Sequence, residues 1–177
     1  VKTQNIELAT TQLPKHEIIS YSVIEVLRLL NGEDAANPWA LYSGQRVQDW
    51  EEDQILGLVT AILNKVAIPS LFVAKQSKEF YVNEKIKSSW ELTKNVVKNT
   101  IDSTDLNRQA INFSLTKAKY ISLLIDGQQR LTSLLVAFSG SFNGKKVYID
   151  MDKVECVDGV IKFKTDCLSF NKKPAKA

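Results

Sequence analysis

Five consecutive residues, Asp126-Gly127-Gln128-Gln129-Arg130, bring a carboxylate, a glycine, two carboxamides and a guanidinium to one point of the chain. Before them runs an apolar stretch, Tyr120 to Ile125, that reads as a strand; after them Leu131-Thr132-Ser133-Leu134-Leu135 begins an apolar-faced helix. Glycine lets backbone approach a ligand closely, and a helix start offers unpaired N–H groups at the positive end of the helix dipole. Arg130 adds a planar fork of donors that matches phosphate. The chemistry is anion binding, and a nucleotide phosphate is the anion these residue types suit. The same residues also admit a plainer account, since Asp-Gly is a common turn dipeptide and Gln-Gln-Arg an ordinary solvated first turn of a helix.

Each side chain has its alternatives. Asp126 could orient Arg130, cap the following helix, or hold Mg²⁺ beside a triphosphate. Gln128 and Gln129 can donate amide hydrogens to phosphate or position a water. Arg130 is the strongest phosphate ligand of the group, and its alternative is a surface ion pair with Asp126, worth little in stability. A second pair of donors, Gln45 and Arg46, lies far upstream. If the two patches converge, one cleft gains two arginines, several amides and a helix N-terminus, which suits a triphosphate or a DNA backbone. Tyr42 and Trp50 are candidates to stack a base, although Trp50, at a helix start next to an apolar face, is better placed for the core.

The segment Ile125-Asp126-Gly127-Gln128-Gln129-Arg130-Leu131-Thr132 resembles the DGQQR signature of the N-terminal domain of GmrSD-type restriction endonucleases. That domain is related to ParB and sulfiredoxin, in which a Gly-x-x-Arg turn at a helix start holds nucleotide phosphate. Gln45-Arg46 followed by Trp50 resembles the family's Tyr-Gln-Arg-x-Tyr-x-Trp segment. Here Gly44 stands where the family has Tyr, and Gln48 where it has an aromatic, so any pocket those rings line is altered. By element order the resemblance covers roughly residues 17 to 165. It implies an α+β fold, a small mixed sheet flanked by helices, ParB/sulfiredoxin-like. It also implies a nucleotide-binding and NTP-hydrolysing domain of a phage-defence or modification-dependent restriction system. GTP, ATP or CTP would be held by Gly127, Gln128, Gln129, Arg130, Gln45 and Arg46. Asp126, Gln128 and Arg130 would be catalytic, with Asp126 as the Mg²⁺ ligand. The partners implied are nucleotide, DNA and a downstream nuclease domain or subunit. A non-enzymatic module that senses modified DNA is the second reading, and a degenerate member that binds only a partner protein the third.

Composition sets bounds. The 177 residues carry a net charge of +3 and are 44% hydrophobic and 24% charged, the profile of a single globular domain with no need of staples. The mild basicity is compatible with a nucleic-acid surface. One histidine, His16, and two cysteines, Cys156 and Cys167, without Cys-x-x-Cys spacing argue against a zinc site and against a histidine-based nuclease centre. There is no Gly-x-x-x-x-Gly-Lys-Ser/Thr loop, so this is not a P-loop NTPase. No apolar run reaches the ~18 residues that cross a membrane. A reduced, cytoplasmic chain is the expectation.

The elements that must position the site follow from periodicity. Residues 17–30 have helical spacing and stop at Asn31-Gly32; Trp39 to Leu41 is a short extended piece. Residues 49–66 give the clearest helix, opened by Asp49, Glu51, Glu52 and Asp53, acids that complement the dipole or, as the minor alternative, bind metal. Ser70 to Lys75 and Glu79 to Val82 are strand candidates. Residues 86–118, without Gly or Pro, read as two helices broken near Asp102 to Asp105, forming an insert or lid. Lys145 to Met151 alternates as a strand, and Asp158-Gly159 between Val154 and Phe163 is a two-residue hairpin signal. One domain over 1–170 and a lysine-rich flexible tail over 171–177 complete the expectation.

Overall fold

The computed structural model describes residues 18–30, 39–41, 48–77, 90–91, 94–98, 109–110 and 118–171. Helix α1 spans Val23–Leu30, strand β1 Trp39–Leu41, helix α2 Glu52–Leu63 and strand β2 Phe72–Ser77. Three short strands follow, β3 at Trp90–Glu91, β4 at Asn95–Val96 and β5 at Gln109–Ala110. The motif region is strand β6, Tyr120–Asp126, and helix α3, Gln128–Ser139. Strands β7 (Ser141–Phe142), β8 (Lys146–Ile149), β9 (Glu155–Val157), β10 (Val160–Lys162) and β11 (Leu168–Asn171) follow. The fold is α+β, as expected, and the described residues form one larger mixed sheet and three small two-stranded pairs.

The larger sheet has the order β2-β6-β1-β3-β5. Its longest strand is β6, parallel to β1 with Leu41 opposite Leu124, and antiparallel to β2 with Ser77 opposite Tyr120. Ile121 to Leu124 are all buried, so this strand is covered on both faces. Such a strand reads as a continuous apolar run rather than an alternating one, which is how Tyr120 to Ile125 reads.

Helix α3 is the hub. Leu131 and Leu134 pack with Val26, Leu41 and Leu124 on one side, and Val136 packs with Ile55, Val59, Val96, Phe142 and Phe170 on another. Every residue from Leu131 to Val136 is buried. A helix apolar on more than one side belongs in the interior, and it holds its N-terminus rigidly. It ends at Gly140 because the chain at Lys94 passes there: a Cβ on Gly140 would lie 1.6 Å from the Lys94 carbonyl oxygen.

Several boundaries differ from those that the periodicity gives. Helix α1 starts at Val23, because Ser22 and Glu25 form a reciprocal cap. The Glu25 N–H donates to Ser22 Oγ at 3.2 Å, and the Ser22 N–H donates to Glu25 Oε2 at 2.7 Å. Within 86–118, the described residues 90–91, 95–96 and 109–110 are strand rather than helix. There β3 pairs with β1 and β4 with β7, so partners far along the chain override the local pattern. Glu79 to Val82 lies outside the described residues. Asn171, read as the first residue of a tail, ends β11 opposite Lys146. The hairpin is as expected, with Asp158 at φ 53° and Gly159 at φ 75°, the two positive values of a type I′ turn. Among the described residues no helix is long and apolar enough to cross a membrane.

Candidate functional site

The Asp126–Arg130 turn forms where the covered strand β6 stops and α3 begins. Gly127 is the N-cap residue at φ 100° ψ 12°, in the left-handed region, and has no side chain with which to cap the helix. A Cβ there would also meet Leu71 Cδ2 at 2.3 Å. The conformation favours glycine, and any larger residue would also have to push the Leu71 side chain aside.

Arg130 is tied into the fold. Its Nη1 donates to the carbonyl oxygens of Pro69 and Ser70 at 2.8 and 3.0 Å, and its Nη2 to Asp126 Oδ2 at 3.2 Å. The guanidinium thus locks the loop between α2 and β2 over the turn. Its side chain is 15% exposed, whereas that of Asp126 is 62% exposed. Of the roles open to Asp126, pairing with Arg130 is present and capping of α3 is not.

The two glutamines part company. Gln128 is buried, and its Oε1 has no hydrogen-bond partner among the described residues. Gln129 Oε1 accepts the backbone N–H groups of Asp49 and Trp50 at 2.8 and 3.3 Å. One turn further along α3, Ser133 Oγ accepts from Gln48 Nε2 at 3.3 Å, and Gln48 is buried. Residues 48–50 are therefore bound along the face of α3 that carries Gln129 and Ser133. Gln45, Arg46 and Tyr42 lie outside the described residues, so only the segment that follows them is placed against the motif helix. Trp50 is partly buried against the cluster of Ile55, Val59 and Val136. It is in position to support the core.

Two of the four acids at the start of α2 have their carboxylates engaged in the fold. Glu51 pairs with Lys98 at 2.5 Å and Glu52 with Lys145 at 2.8 Å. The Lys98 ammonium also donates to the Asp49 carbonyl at 2.6 Å. Among the described residues no group of three or more His, Cys, Asp or Glu side chains could hold a metal ion.

Sequence reasoning missed Pro69, Ser70, Leu71, Gln48 and Ser133 as neighbours of the motif. The loop residues contribute carbonyls, which every residue has, and so leave no signal. Gln48 stands out in the sequence only as a replacement for an aromatic, although its burial against α3 is the more telling fact.

The arrangement is a rigid, largely enclosed turn with one exposed carboxylate at its mouth and a clamped arginine behind it. A comparison with curated proteins finds no match to this chain. The family model for the N-terminal domain of the GmrSD restriction endonuclease matches residues 28–175, nearly the whole chain, and the chain belongs to that family.

Proposed function

We propose that this domain binds a nucleoside triphosphate at the Gly127 turn and hydrolyses it, as the nucleotide-handling part of a DNA restriction system used in phage defence. A separate nuclease part would cut the DNA. The observation that carries the reading is the start of α3: a helix whose N-cap is a glycine, which has no side chain to cap it, with Arg130 held one turn inside. Partial positive charge and a guanidinium then face one region, which is how backbone and arginine together hold phosphate.

The Asp126–Arg130 pair suits this role. Both partners have a better match in a metal–triphosphate complex, the carboxylate for Mg²⁺ and the guanidinium for a phosphate oxygen. Mg²⁺ needs only one or two carboxylates beside phosphate and water, and the exposed Asp126 fits that requirement. Bound Mg²⁺ would neutralise charge on the phosphates. Gln128 would offer its amide to phosphate or to an attacking water, and Gln45 and Arg46 would close the site. ParB/sulfiredoxin-like handling of GTP, ATP or CTP is the expectation carried over from the family resemblance.

Thermal shift with each NTP, with and without Mg²⁺, tests the reading on the wild type, Arg130→Ala and Asp126→Asn. The expected result is a rise in Tm for the wild type with at least one NTP. Arg130→Ala should abolish that rise, and Asp126→Asn should remove its Mg²⁺-dependent part. An equal shift in wild type and Arg130→Ala would take Arg130 out of the site. Arg130→Ala also starts from a lower baseline, about 1–3 kcal/mol less stable, because the carbonyls of Pro69 and Ser70 lose their donor.

A further inference from the structure

The opposite end of β6 carries a different chemistry. Tyr120, the first residue of the strand, lies beneath two ammonium groups: Lys75 Nζ is 5.0 Å from its ring centroid and Lys119 Nζ 5.7 Å. Lys75 comes from β2, which runs antiparallel beside β6, and Lys119 immediately precedes Tyr120. All three residues are exposed. Elsewhere Lys98, Lys145, Lys153 and Lys164 each meet a carboxylate, while among the described residues Lys65, Lys94, Lys146 and Lys162 meet neither a carboxylate nor a ring. Lys75 and Lys119 meet a ring instead, and no carboxylate among the described residues pairs with either.

Two like charges gathered on one ring repel each other, and no acid within the described fold offsets them. An external anion would. The ring also restrains both lysine stems, so less side-chain freedom is lost on binding than for unrestrained surface lysines. Tyr120 and Asp126 stand at the two ends of one covered strand, roughly 20 Å apart at about 3.3 Å per residue. One small anion cannot occupy both ends, whereas an extended polyanion can run past the lysine end while the turn is otherwise engaged.

We propose that Lys75 and Lys119, held by Tyr120, form a contact site for the phosphate backbone of duplex DNA, distinct from the Gly127 turn. The choice of DNA over an acidic protein rests on the reading of this domain as part of a DNA restriction system. The contacts are to phosphate, so they position the domain on the duplex without selecting sequence.

The test is duplex-DNA affinity of the whole chain as a function of salt, measured by fluorescence anisotropy. The proteins compared are the wild type, the double variant Lys75→Ala/Lys119→Ala, the charge-keeping Lys75→Arg/Lys119→Arg, and Lys146→Ala/Lys162→Ala. The last removes equal charge from β8 and β10. The first double variant should bind more weakly, and its slope of log affinity against log salt should become shallower by about 2, one for each phosphate that a lysine no longer neutralises. The arginine variant should keep the wild-type slope, and the variant on β8 and β10 should change it by much less. An unchanged slope in Lys75→Ala/Lys119→Ala would overturn the proposal. So would an equal change in both alanine variants, or a wild type that captures polyglutamate but not DNA. NTP thermal shift on the same samples keeps the two readings separate. Failure of the wild type to respond to any NTP would sink the nucleotide site and leave the DNA result standing. The reverse pattern would sink the DNA site alone.

Discussion

The side-chain oxygen of Gln129 accepts the backbone N–H of Asp49 at 2.8 Å across a sequence separation of 80. With the second bond from the Trp50 N–H, one carboxamide fastens the segment leading into α2 onto the start of α3. The second glutamine of the motif is thereby a positioning residue, whatever else it does. Gln129→Ala should destabilise the protein by about 1–3 kcal/mol, because two backbone donors lose their acceptor. Gln129→Glu keeps an acceptor and should cost less. Urea unfolding measures both. A Gln129→Ala protein as stable as wild type would leave the clasp without energetic weight and return Gln129 to a purely ligand-facing role.

Gly127 and Leu71 make a second testable pair. Gly127→Ala places a Cβ in the left-handed region and against Leu71 Cδ2. The conformation costs about 1–2 kcal/mol and the overlap a further ~1–3 kcal/mol. Leu71→Ala removes the obstacle but not the strain. In a double-mutant cycle, Gly127→Ala should therefore cost less in the Leu71→Ala background than in wild type. Strict additivity would show that Leu71 yields without cost.

How much of the fold is legible in the sequence depends on how local the cause is. The type I′ hairpin at Asp158-Gly159 is written in two adjacent residues, and it is where the dipeptide puts it. The start of α1 is also written locally, in Ser22-x-x-Glu25, but the apolar spacing upstream obscures it. By contrast β11 exists because Phe170 lies opposite Val147 and Ser169 opposite Tyr148, and no window around residue 169 contains that information. The short strands β3, β4 and β5 have the same cause. For the site, residue types at 126–130 announce an anion-binding turn, but what each side chain holds depends on Pro69, Ser70 and Asp49. Residue types supply the inventory of donors, and the fold assigns the partners.

The Ser22–Glu25 cap makes α1 sensitive to acid. The backbone N–H of Ser22, and after it the Ser22 hydroxyl, hold the Glu25 carboxyl below its ordinary value. A carboxylate whose folded pKa is depressed contributes stability above its unfolded pKa, and that contribution is lost as pH falls through the folded pKa. The wild type should therefore melt above Glu25→Gln at neutral pH. The gap should close on acidification through and below the ordinary carboxylate range. A gap that stays constant from neutral to strongly acidic pH would detach the cap from the ionisation of Glu25.

The chain on its own should leave plasmid DNA intact with Mg²⁺ or Mn²⁺. Phosphodiester cleavage takes a metal-bound water and a general base, supplied by clustered carboxylates or histidines. The sequence has one histidine, His16. Of the acids that open α2, Glu51 and Glu52 are engaged by Lys98 and Lys145, and at the Gly127 turn Asp126 is engaged by Arg130. Asp126 alone can serve a metal that phosphate oxygens also hold, as a triphosphate allows, but it is a thin site for a metal that must act on a passing phosphodiester. Agarose-gel assay of supercoiled plasmid, with and without NTP, checks this. Metal-dependent nicking that disappears in Asp126→Ala would make the Gly127 turn a nuclease site and DNA, rather than nucleotide, its substrate. Nicking that survives in Asp126→Ala would place cleavage chemistry elsewhere in the chain and equally defeat the expectation.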